Sequence, residues 1–296
     1  MTYSTLSELD FELKDLPDLT PADRVVMTSP DHFDVSYEIN AHMAGNIGSV
    51  DTAKAKSQWM ELRSAYEACG MSVSTVEGMA GQPDMVFCAN QTLPFLSTDG
   101  KKGVVLSKMY AAERAGEVRH FEAYFRDRGY EIVKDIAQDH SEFEGMGDAL
   151  WHCGKRLLWG GYGFRTDESV YQIISERLAV PIILLKLDDP EFYHLDTCLC
   201  ILDDKTALVY PRAFEPEGLE LIRNFFPRVV EAPEDEARKL FACNAHSPDG
   251  HHVMIQRGCT FTNDALRNLG YSVVELDTDE YLKSGGSIFC MKLMTW

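Results

Sequence analysis

The chain has 296 residues, and its 47 acidic and 28 basic side chains give a formal net charge of −19. This charge opposes binding to nucleic-acid phosphates, and no apolar run reaches the roughly 20 residues of a membrane span, so we expect neither nucleic-acid nor membrane partners. The acidic first residues lack the features of a secretory signal, and the eight cysteines form no CxxC pair. We therefore expect a cytoplasmic protein with reduced thiols.

Helical and extended segments alternate along the chain. Apolar residues at three- and four-residue steps predict helices over residues 51–69, 110–128, 168–178, 216–226 and 263–269. Apolar and β-branched runs predict strands over residues 24–28, 71–76, 103–107, 130–133, 156–160, 180–185, 207–210, 229–230, 252–256 and 272–276. The pattern of strand, helix and strand therefore recurs five times.

A short apolar segment with a small polar residue occurs once in each unit. The segments are VSYEIN, MVFCAN, FEGMGDAL, FYHLDTC and LFACN, marked by Asn40, Asn90, Asp148, Asp196 and Asn244. Subtracting these positions gives steps of 50, 58, 48 and 48 residues. A near-regular period predicts ββαβ units that pack on their neighbours in a closed ring. The alternative is an ordinary α/β sheet in which the period is accidental.

Polar side chains inside these apolar segments are the candidates for chemistry, because burying a carboxylate or an imidazole without partners is costly. The candidates are Glu144, Asp148, His194 and Asp196. His194 and Asp196 are two residues apart, so on a strand they would share one face. We predict that these side chains point toward the axis of the ring.

A thiol near the end of the fifth unit adds a nucleophile. Cys290 follows Gly285 and Gly286, which permit a close approach of the backbone. A thiolate needs a cationic environment, whereas neighbouring carboxylates raise the pKa of a thiol. The combination therefore suits a substrate that brings its own positive charge, such as a guanidinium, which pairs bidentately with carboxylates. Each of these residues alone is more often structural, and only their combination favours a catalytic site.

At these residues the sequence resembles a known family. FEGMGDAL, FYHLDTC and SGGSIFCMKL resemble signatures of the guanidine-modifying pentein superfamily, which includes arginine deiminase, dimethylarginine dimethylaminohydrolase and the amidinotransferases. FDVSYEINAHMAGN, PDMVFCAN, LWGGYGFR and FACN are similar to the arginine dihydrolase subgroup. The resemblance implies a five-bladed α/β propeller with a Cys–His–Glu site on its axis. We expect residues 24–296 to form this single domain, with residues 1–23 as an N-terminal extension.

The resemblance also implies the catalytic roles. Cys290 would be the nucleophile, and His194 the general acid and base. Glu144 and Asp196 would hold the guanidinium. The resemblance implies neither a metal nor an organic cofactor, and its substrate class is a small molecule, arginine or a methylated arginine.

Further residues match the substrate-binding positions of the family. Asn90 stands where deiminases commonly carry Asp, and the dihydrolases likewise have Asn there. Arg114 and Arg165 would grip the α-carboxylate, and Asn40 would line the amino-acid end. Lys108 and the residues SIF before the cysteine depart from the subgroup's pattern.

The activity implied is hydrolysis of free arginine through a covalent thiouronium, as in an arginine dihydrolase that releases ornithine, ammonia and carbon dioxide. Three alternatives stay open: a dimethylarginine dimethylaminohydrolase, a deiminase that stops at citrulline, and an inactive amino-acid sensor or interaction module. The sequence also leaves homo-oligomer formation open. The cluster of Cys243, His246, His251 and His252 fits no common zinc spacing, so a solvated loop is expected there.

Overall fold

Helices and strands alternate through residues 1–134, 136 and 141–296, which the computed structural model describes. The α-helices of this part are α1 (Thr52–Ala68), α2 (Val118–Arg126), α3 (Gly145–Asp148), α4 (Ser169–Leu178), α5 (Pro216–Phe225), α6 (Glu234–Leu240), α7 (Thr260–Asn268) and α8 (Asp279–Leu282). The strands are β1 (Thr2–Tyr3), β2 (Arg24–Thr28), β3 (Ser72–Val76), β4 (Thr92–Leu96), β5 (Lys102–Leu106), β6 (Glu131–Val133), β7 (Ala149–Trp151), β8 (Leu158–Tyr162), β9 (Ile182–Lys186), β10 (Leu199–Ile201), β11 (Thr206–Val209), β12 (Arg228–Glu231), β13 (His252–Gln256), β14 (Ser272–Leu276) and β15 (Leu293–Thr295). The chain is a mixed α/β protein, and within the described residues none of its helices has the length and apolar character needed to cross a membrane.

The described strands form five sheets, four of which combine an antiparallel pair with a parallel pair. Their strand orders are β15-β2-β3, β4-β5-β6, β1-β9-β8-β7, β10-β11-β12 and β13-β14. In the second sheet β4 and β5 are antiparallel, whereas β5 and β6 are parallel, with Val104 opposite Ile132. In the β13-β14 sheet an isolated antiparallel bridge joins His246 to Met254. A helix supplies the crossover that a parallel pair requires.

The last strand pairs with the first sheet. β15 runs antiparallel to β2, with Leu293 opposite Val26. Just before β15, the carbonyl of Cys290 accepts a hydrogen bond of 3.1 Å from the N–H of Ala89, which precedes β4. This pairing draws Cys290 into the interior beside the segment that leads into the second sheet.

Local sequence sets the ends of α1. The Asp51 carboxylate accepts hydrogen bonds from the N–H groups of Ala53 at 3.1 Å and Lys54 at 3.0 Å, and so caps the helix. Gly70 follows the helix with φ of +80°, a conformation that glycine adopts without the penalty of a Cβ atom. The helix predicted over residues 51–69 is therefore confirmed at Thr52–Ala68.

Aromatic side chains fill the core beside the third sheet. Trp159 of β8 stacks on Phe226, with ring centroids 5.3 Å apart, and meets Phe225 edge-on at 5.4 Å. Such pairs contribute about 0.5–1.5 kcal/mol each beyond their burial. Phe11 of the N-terminal segment lies 6.1 Å from the ring of Phe225, and β1 pairs with β9. The first residues of the chain thus pack on the same core.

The marked segments differ from the prediction. His194 precedes a 3-10 turn, Leu195–Thr197, and β10 begins only at Leu199, so the expectation that His194 and Asp196 share a strand face is wrong. Glu144 likewise precedes the single turn of α3. Buried carboxylates need hydrogen-bond donors, and turns leave free the backbone N–H groups that strand pairing would use.

Candidate active site

Side chains from widely separated segments converge on one buried pocket. The pocket is lined by Ile39, Asn40, Met43, Asp84, Phe87, Asn90, Arg114, Arg165, Tyr193, His194, Ser284, Gly285 and Cys290. Behind this lining, Glu144 contacts His194, and Asp196 contacts Cys290. The structure therefore brings together all eight residues that the sequence analysis assigned to catalysis or substrate binding.

Cys290 is 4% exposed, and its sulfur faces a carboxylate. The Sγ atom lies 3.2 Å from Oδ2 of Asp196. Burial, followed by the charge of Asp196, raises the pKa of the Cys290 thiol well above its ordinary value. Burial also raises the pKa of Asp196 to about 7, against the hydrogen bond from Cys290. The thiol is therefore protonated at rest, and a cation placed beside it would favour the thiolate.

Asn244 fixes the loop that carries the thiol. Its Oδ1 accepts hydrogen bonds from the backbone N–H groups of Ser287 at 3.1 Å, Phe289 at 3.1 Å and Cys290 at 3.4 Å. Its Nδ2 donates to the carbonyl of Asp196 at 2.9 Å and lies 3.2 Å from the sulfur of Cys290. One side-chain amide thus positions the nucleophile and its carboxylate neighbour together.

The two glycines before Cys290 are required by the backbone and by close packing. Gly285 has φ of +84°, in the left-handed region. A Cβ atom on Gly286 would lie 2.4 Å from the ring of Phe87. The close approach predicted from this glycine pair is confirmed.

His194 is paired with Glu144 in the interior. The Nε2 of His194 lies 2.6 Å from Oε2 of Glu144, whose other oxygen accepts a hydrogen bond of 3.0 Å from the N–H of Tyr110 and lies 3.6 Å from Nη1 of Arg165. Burial acts to raise the pKa of Glu144, but the hydrogen bond and charge of His194, together with Arg165, lower it to about 2. Glu144 is therefore anionic at neutral pH, and it can orient the imidazole and stabilise a positive charge on it.

Asp148 is a second carboxylate close to the imidazole. Its Oδ2 lies 3.9 Å from Nε2 of His194 and accepts a hydrogen bond of 2.7 Å from the hydroxyl of Thr166. Its Oδ1 accepts a hydrogen bond of 3.0 Å from the N–H of Leu195. Burial raises the pKa of Asp148 to about 6. These contacts hold the turn that presents His194 to the pocket.

Asn90 connects His194 to a buried arginine. Its Oδ1 accepts a hydrogen bond of 2.9 Å from Nη1 of Arg114, and its Nδ2 lies 3.5 Å from Nδ1 of His194. Arg114 also donates to the carboxylate of Glu117 from Nε and Nη2 and to the carbonyl of Asp84. Arg114 lines the pocket while most of its five N–H groups are bound within the protein.

Arg165 makes fewer hydrogen bonds than Arg114. Its Nη2 donates to the carbonyl of Ile39 at 2.7 Å. The guanidinium carbon lies 4.9 Å from the ring centroid of Tyr193 and 5.4 Å from that of Tyr110. Among the residues that the structure describes, the bond to Ile39 and the ion pair with Glu144 are the polar contacts of Arg165, which leaves several of its N–H groups for a ligand carboxylate.

Asn40 shapes the end of the pocket. Its Oδ1 accepts hydrogen bonds from the N–H groups of His42 at 2.9 Å and Met43 at 3.2 Å, and so caps the turn Ala41–Met43. Its Nδ2 donates to the carbonyl of Ser284 at 3.0 Å. The side chain therefore ties this turn to the loop that precedes Cys290.

Two buried charged residues near the site were missed by the sequence analysis. Oδ1 of Asp84 accepts a hydrogen bond of 2.8 Å from the hydroxyl of Ser284. Lys292 is 0% exposed, and its Nζ lies 3.1 Å from the ring centroid of Phe289. Both lie in apolar runs, PDMVF and CMKLM, so the criterion that selected Glu144 would have found them.

A separate cluster has the residue types of a metal site. One ligand atom each from Cys69, Asp249 and His252 lie within 4.8 Å of one another. Sulfur, imidazole and carboxylate ligands of this kind suit zinc. Two of the histidines considered as zinc ligands in the sequence analysis are separated here. His252 belongs to this cluster, whereas His246 is buried and forms a hydrogen bond of 3.0 Å with the hydroxyl of Tyr66. The cluster shares no residue with the pocket around Cys290.

The chain is similar in sequence to known proteins. The family model described as N,N dimethylarginine dimethylhydrolase, eukaryotic, matches residues 29–294. The bifunctional arginine dihydrolase/ornithine cyclodeaminase ArgZ of Synechocystis sp. is 37% identical over 273 residues, which cover 91% of this chain and 37% of ArgZ. The N(G),N(G)-dimethylarginine dimethylaminohydrolase of Mycobacterium tuberculosis is 37% identical over 270 residues, which cover 91% of this chain and 85% of that protein.

A solved structure extends the likeness to the fold. The crystal structure of the N-terminal domain of ArgZ bound to substrate matches with a TM-score of 0.85 at 36% identity, covering 92% of this chain and 97% of that domain. The chain thus spans only 37% of the length of full ArgZ. By the family model and these relatives, this chain belongs to the N,N dimethylarginine dimethylhydrolase family of the guanidine-modifying pentein superfamily.

Proposed function

We propose that this chain is a hydrolase that acts on the guanidinium group of free arginine, as an arginine dihydrolase. The observation that carries the proposal is the pocket in which a buried thiol beside Asp196 faces the same space as His194, which is paired with Glu144. Such a constellation supplies a nucleophile, a proton carrier and carboxylates for a flat cation.

The charges of the pocket match the two ends of arginine. In our proposal Glu144 and Asp196 hold the guanidinium, and the cation lowers the cost of forming the thiolate of Cys290. Arg165, with several N–H groups uncommitted, binds the α-carboxylate. Arg114 acts at the same end mainly by fixing Asn90, and Asn40 shapes the wall that contacts the amino-acid portion.

The first half-reaction exchanges a C–N bond for a C–S bond. The thiol proton passes to His194, and the sulfur attacks the guanidinium carbon to give a tetrahedral adduct. His194 returns this proton to the departing nitrogen, ammonia leaves, and a cationic thiouronium remains on Cys290. Water, deprotonated by His194, adds to the thiouronium carbon, and the thiolate departs and regains a proton, which releases the ureido product citrulline.

A second round makes the reaction a dihydrolysis. Cys290 attacks the ureido carbon, a second ammonia leaves, and a thiocarbamate remains. Water cleaves the C–S bond, and the resulting carbamic acid separates into carbon dioxide and ornithine. Asn90 supports this round because an amide can hydrogen-bond a neutral urea as well as a cation, whereas an aspartate would favour the cation.

The family and its members favour one runner-up. The matched family model and the Mycobacterium tuberculosis relative are named for dimethylarginine, so hydrolysis of methylated arginine is the second candidate. ArgZ, whose N-terminal domain was solved with substrate, is named as an arginine dihydrolase, and this supports the first.

The proposal extends to the architecture. The five described sheets, with β15 of the last segment paired to β2 of the first, are consistent with blades around one axis on which Cys290 lies. In this view residues 24–296 form one propeller domain, and residues 1–23 are an extension that packs against its third sheet.

Product analysis tests the function. The purified protein is incubated with arginine or asymmetric dimethylarginine, and ornithine, citrulline, ammonia and dimethylamine are quantified, with Cys290→Ser as the control. We expect ornithine and ammonia in a ratio of one to two from arginine, and no product from the control. Citrulline alone would indicate a deiminase, and faster release of dimethylamine would indicate the runner-up. No turnover of either substrate would contradict the proposal and favour a binding protein.

A further inference from the structure

The end of α1 lies beside the start of β13, and three possible metal ligands meet there. One ligand atom each from Cys69, Asp249 and His252 lie within 4.8 Å of one another. Cys69 directly follows α1, whereas His252 is the first residue of β13 and Asp249 lies in the turn before it. These three residues are called the Cys69 cluster.

A buried hydrogen bond brings the two segments together. The hydroxyl of Tyr66, in the last turn of α1, lies 3.0 Å from Nδ1 of His246. His246 also exchanges two backbone hydrogen bonds, of 3.0 and 2.9 Å, with Met254 of β13. The helix end is therefore anchored to the base of the turn over residues 247–253. The position of Cys69 beside this turn is thus fixed by buried contacts.

Asp249 is oriented by its own turn. Its Oδ1 accepts hydrogen bonds from the N–H groups of His251 at 2.9 Å and His252 at 2.7 Å, and its Oδ2 lies 2.7 Å from Nδ1 of His252. Holding the carboxylate and the imidazole together in advance reduces the entropy lost when a ligand binds. The side chains of Asp249 and His252 are 32% and 33% exposed, and Cys69 is half-buried, so an ion can reach the cluster from solvent.

The charge and the ligand types of the cluster suit a divalent metal. Asp249 pairs with His252, and within the described part of the chain no lysine or arginine lies within ion-pair distance of its carboxylate. With Cys69 as a thiolate, the cluster has two negative charges and a neutral imidazole, which balance one divalent ion. Sulfur and nitrogen ligands favour zinc over calcium and magnesium, which prefer oxygen ligands.

The spacing of the ligand atoms is close to that of a zinc site. Tetrahedral zinc with bonds of about 2.0–2.3 Å places neighbouring ligand atoms about 3.3–3.6 Å apart. The Cys69 cluster reaches this spacing when its partly exposed side chains move by about 1 Å, a distance that rotation about their own bonds supplies.

We propose that the Cys69 cluster binds one zinc ion through Sγ of Cys69, a carboxylate oxygen of Asp249 and a ring nitrogen of His252, with water as the fourth ligand. On binding, the thiol proton passes to solvent, and a zinc–sulfur bond replaces the S–H bond. The ion cross-links the end of α1 to the β13-β14 sheet. The proposal does not depend on the arginine chemistry, because the cluster shares no residue with the pocket around Cys290.

Cobalt substitution tests the ligands. The full chain carrying Cys290→Ser, which removes the thiol of the catalytic pocket as an alternative ligand, is titrated with Co²⁺. We expect a near-ultraviolet charge-transfer band from sulfur to cobalt, which disappears when Zn²⁺ displaces the cobalt. Adding Cys69→Ser should abolish the band. Adding Cys153→Ser, which removes another half-buried thiol, should leave it unchanged.

Zinc affinity tests the imidazole and the cross-link. Competition with a chromophoric chelator is expected to show binding weakened by at least about tenfold in His252→Gln, and by less than about threefold in the neighbouring His251→Gln. Zinc at about 100 times its dissociation constant should raise the unfolding temperature by about 3–5 °C, and should not do so in Cys69→Ser.

Three results would each overturn the proposal. They are the absence of zinc and cobalt binding up to about 100 μM, a charge-transfer band that survives Cys69→Ser, and equal zinc affinity in His252→Gln and the parent protein. Circular dichroism without metal establishes that each variant is folded before titration.

Discussion

The Nδ2 atom of Asn244 lies 3.2 Å from the sulfur of Cys290, while Oδ1 of the same amide holds three backbone N–H groups of the loop that ends at the thiol. The amide thus combines two separable tasks. It keeps the loop in place through its oxygen, and it offers a donor to the thiolate through its nitrogen. Substitutions that remove one task and keep the other can separate them.

Asn244→Asp retains the acceptor oxygen but replaces the donor with a second negative charge beside the sulfur. We expect kcat to fall by about 100-fold, the scale of losing one hydrogen-bond donor at a developing anion. The pH profile of Cys290 alkylation by iodoacetamide should move to higher pH. Asn244→Ala, the companion variant, should also lose about 1–3 kcal/mol of unfolding free energy, because the buried N–H groups lose their acceptor. An unchanged alkylation profile in Asn244→Asp would show that the amide serves the loop alone.

A cationic reagent should activate the thiol that attacks it. Because burial and Asp196 raise the pKa of the Cys290 thiol, a neutral alkylating agent should react slowly at pH 7. Chloroacetamidine carries a positive charge like that of a guanidinium, and we expect it to inactivate the enzyme at least about 100-fold faster than chloroacetamide. In Asp196→Asn this preference should fall by about tenfold or more. Equal rates for both reagents in the wild type would argue against substrate-assisted formation of the thiolate.

The sequence predicted the repeated units well because helices and strands follow local periodicity. Strands β2, β13 and β14 lie at the predicted residues, because runs of apolar and β-branched residues mark a strand in the sequence itself. The turns that carry His194 and Glu144 were taken for strand-like segments, because their geometry depends on hydrogen bonds to distant residues, such as the one from the N–H of Leu195 to Asp148. Local pattern holds no information on such contacts.

The same limit applies to the site. Cys290, His194 and Glu144 stood out as polar residues in apolar surroundings, and the near-regular period led us to expect them around one axis. The hydrogen bond from Arg114 to Asn90 could not be foreseen, because it depends on packing between segments that are separated along the chain. Lys292 lies in the apolar run CMKLM, so the criterion that selected Glu144 could have selected it as well.

Asn90 should govern the choice between one and two rounds of hydrolysis. Asn90→Asp preserves the acceptor for Arg114 but adds a charge beside His194, so a cationic guanidinium is favoured over a neutral urea. We expect the ratio of ornithine to citrulline formed from arginine to fall by at least about tenfold, with arginine consumption reduced less. Chromatography of both products over time measures this ratio. An ornithine yield equal to that of the wild type would refute the role of the amide as the switch.

The ionised Glu144 should contribute stability only above acidic pH. Its pKa is lowered in the folded protein to about 2 from an ordinary value of 4.5, so its contribution is complete above about pH 4.5 and is lost as the pH falls toward 2. Glu144→Gln should therefore be less stable than the wild type at pH 6, with a difference that shrinks on acidification. Urea unfolding at a series of pH values measures this difference in stability, and a difference that is constant with pH would contradict the prediction. The kcat of Glu144→Gln should also fall by about 1000-fold, because His194 loses its anionic partner.

Burial of Lys292 should reduce the stability of the protein, with the opposite pH dependence. Burial lowers the pKa of Lys292 to about 7 from 10.5, so the folded protein binds this proton less readily than the unfolded chain. The resulting penalty is absent above about pH 10.5, grows as the pH falls and is complete below about pH 7.

Lys292→Met removes this penalty, and we expect the variant to be more stable than the wild type by about 1–4 kcal/mol at pH 6, with little difference near pH 10. Chemical denaturation at both pH values measures the change, and Lys205→Met, at an exposed position, provides the matched control with an expected change within about 0.5 kcal/mol. A less stable Lys292→Met at pH 6 would show that favourable contacts of the amine, such as the charge of Asp196, outweigh the cost of its burial.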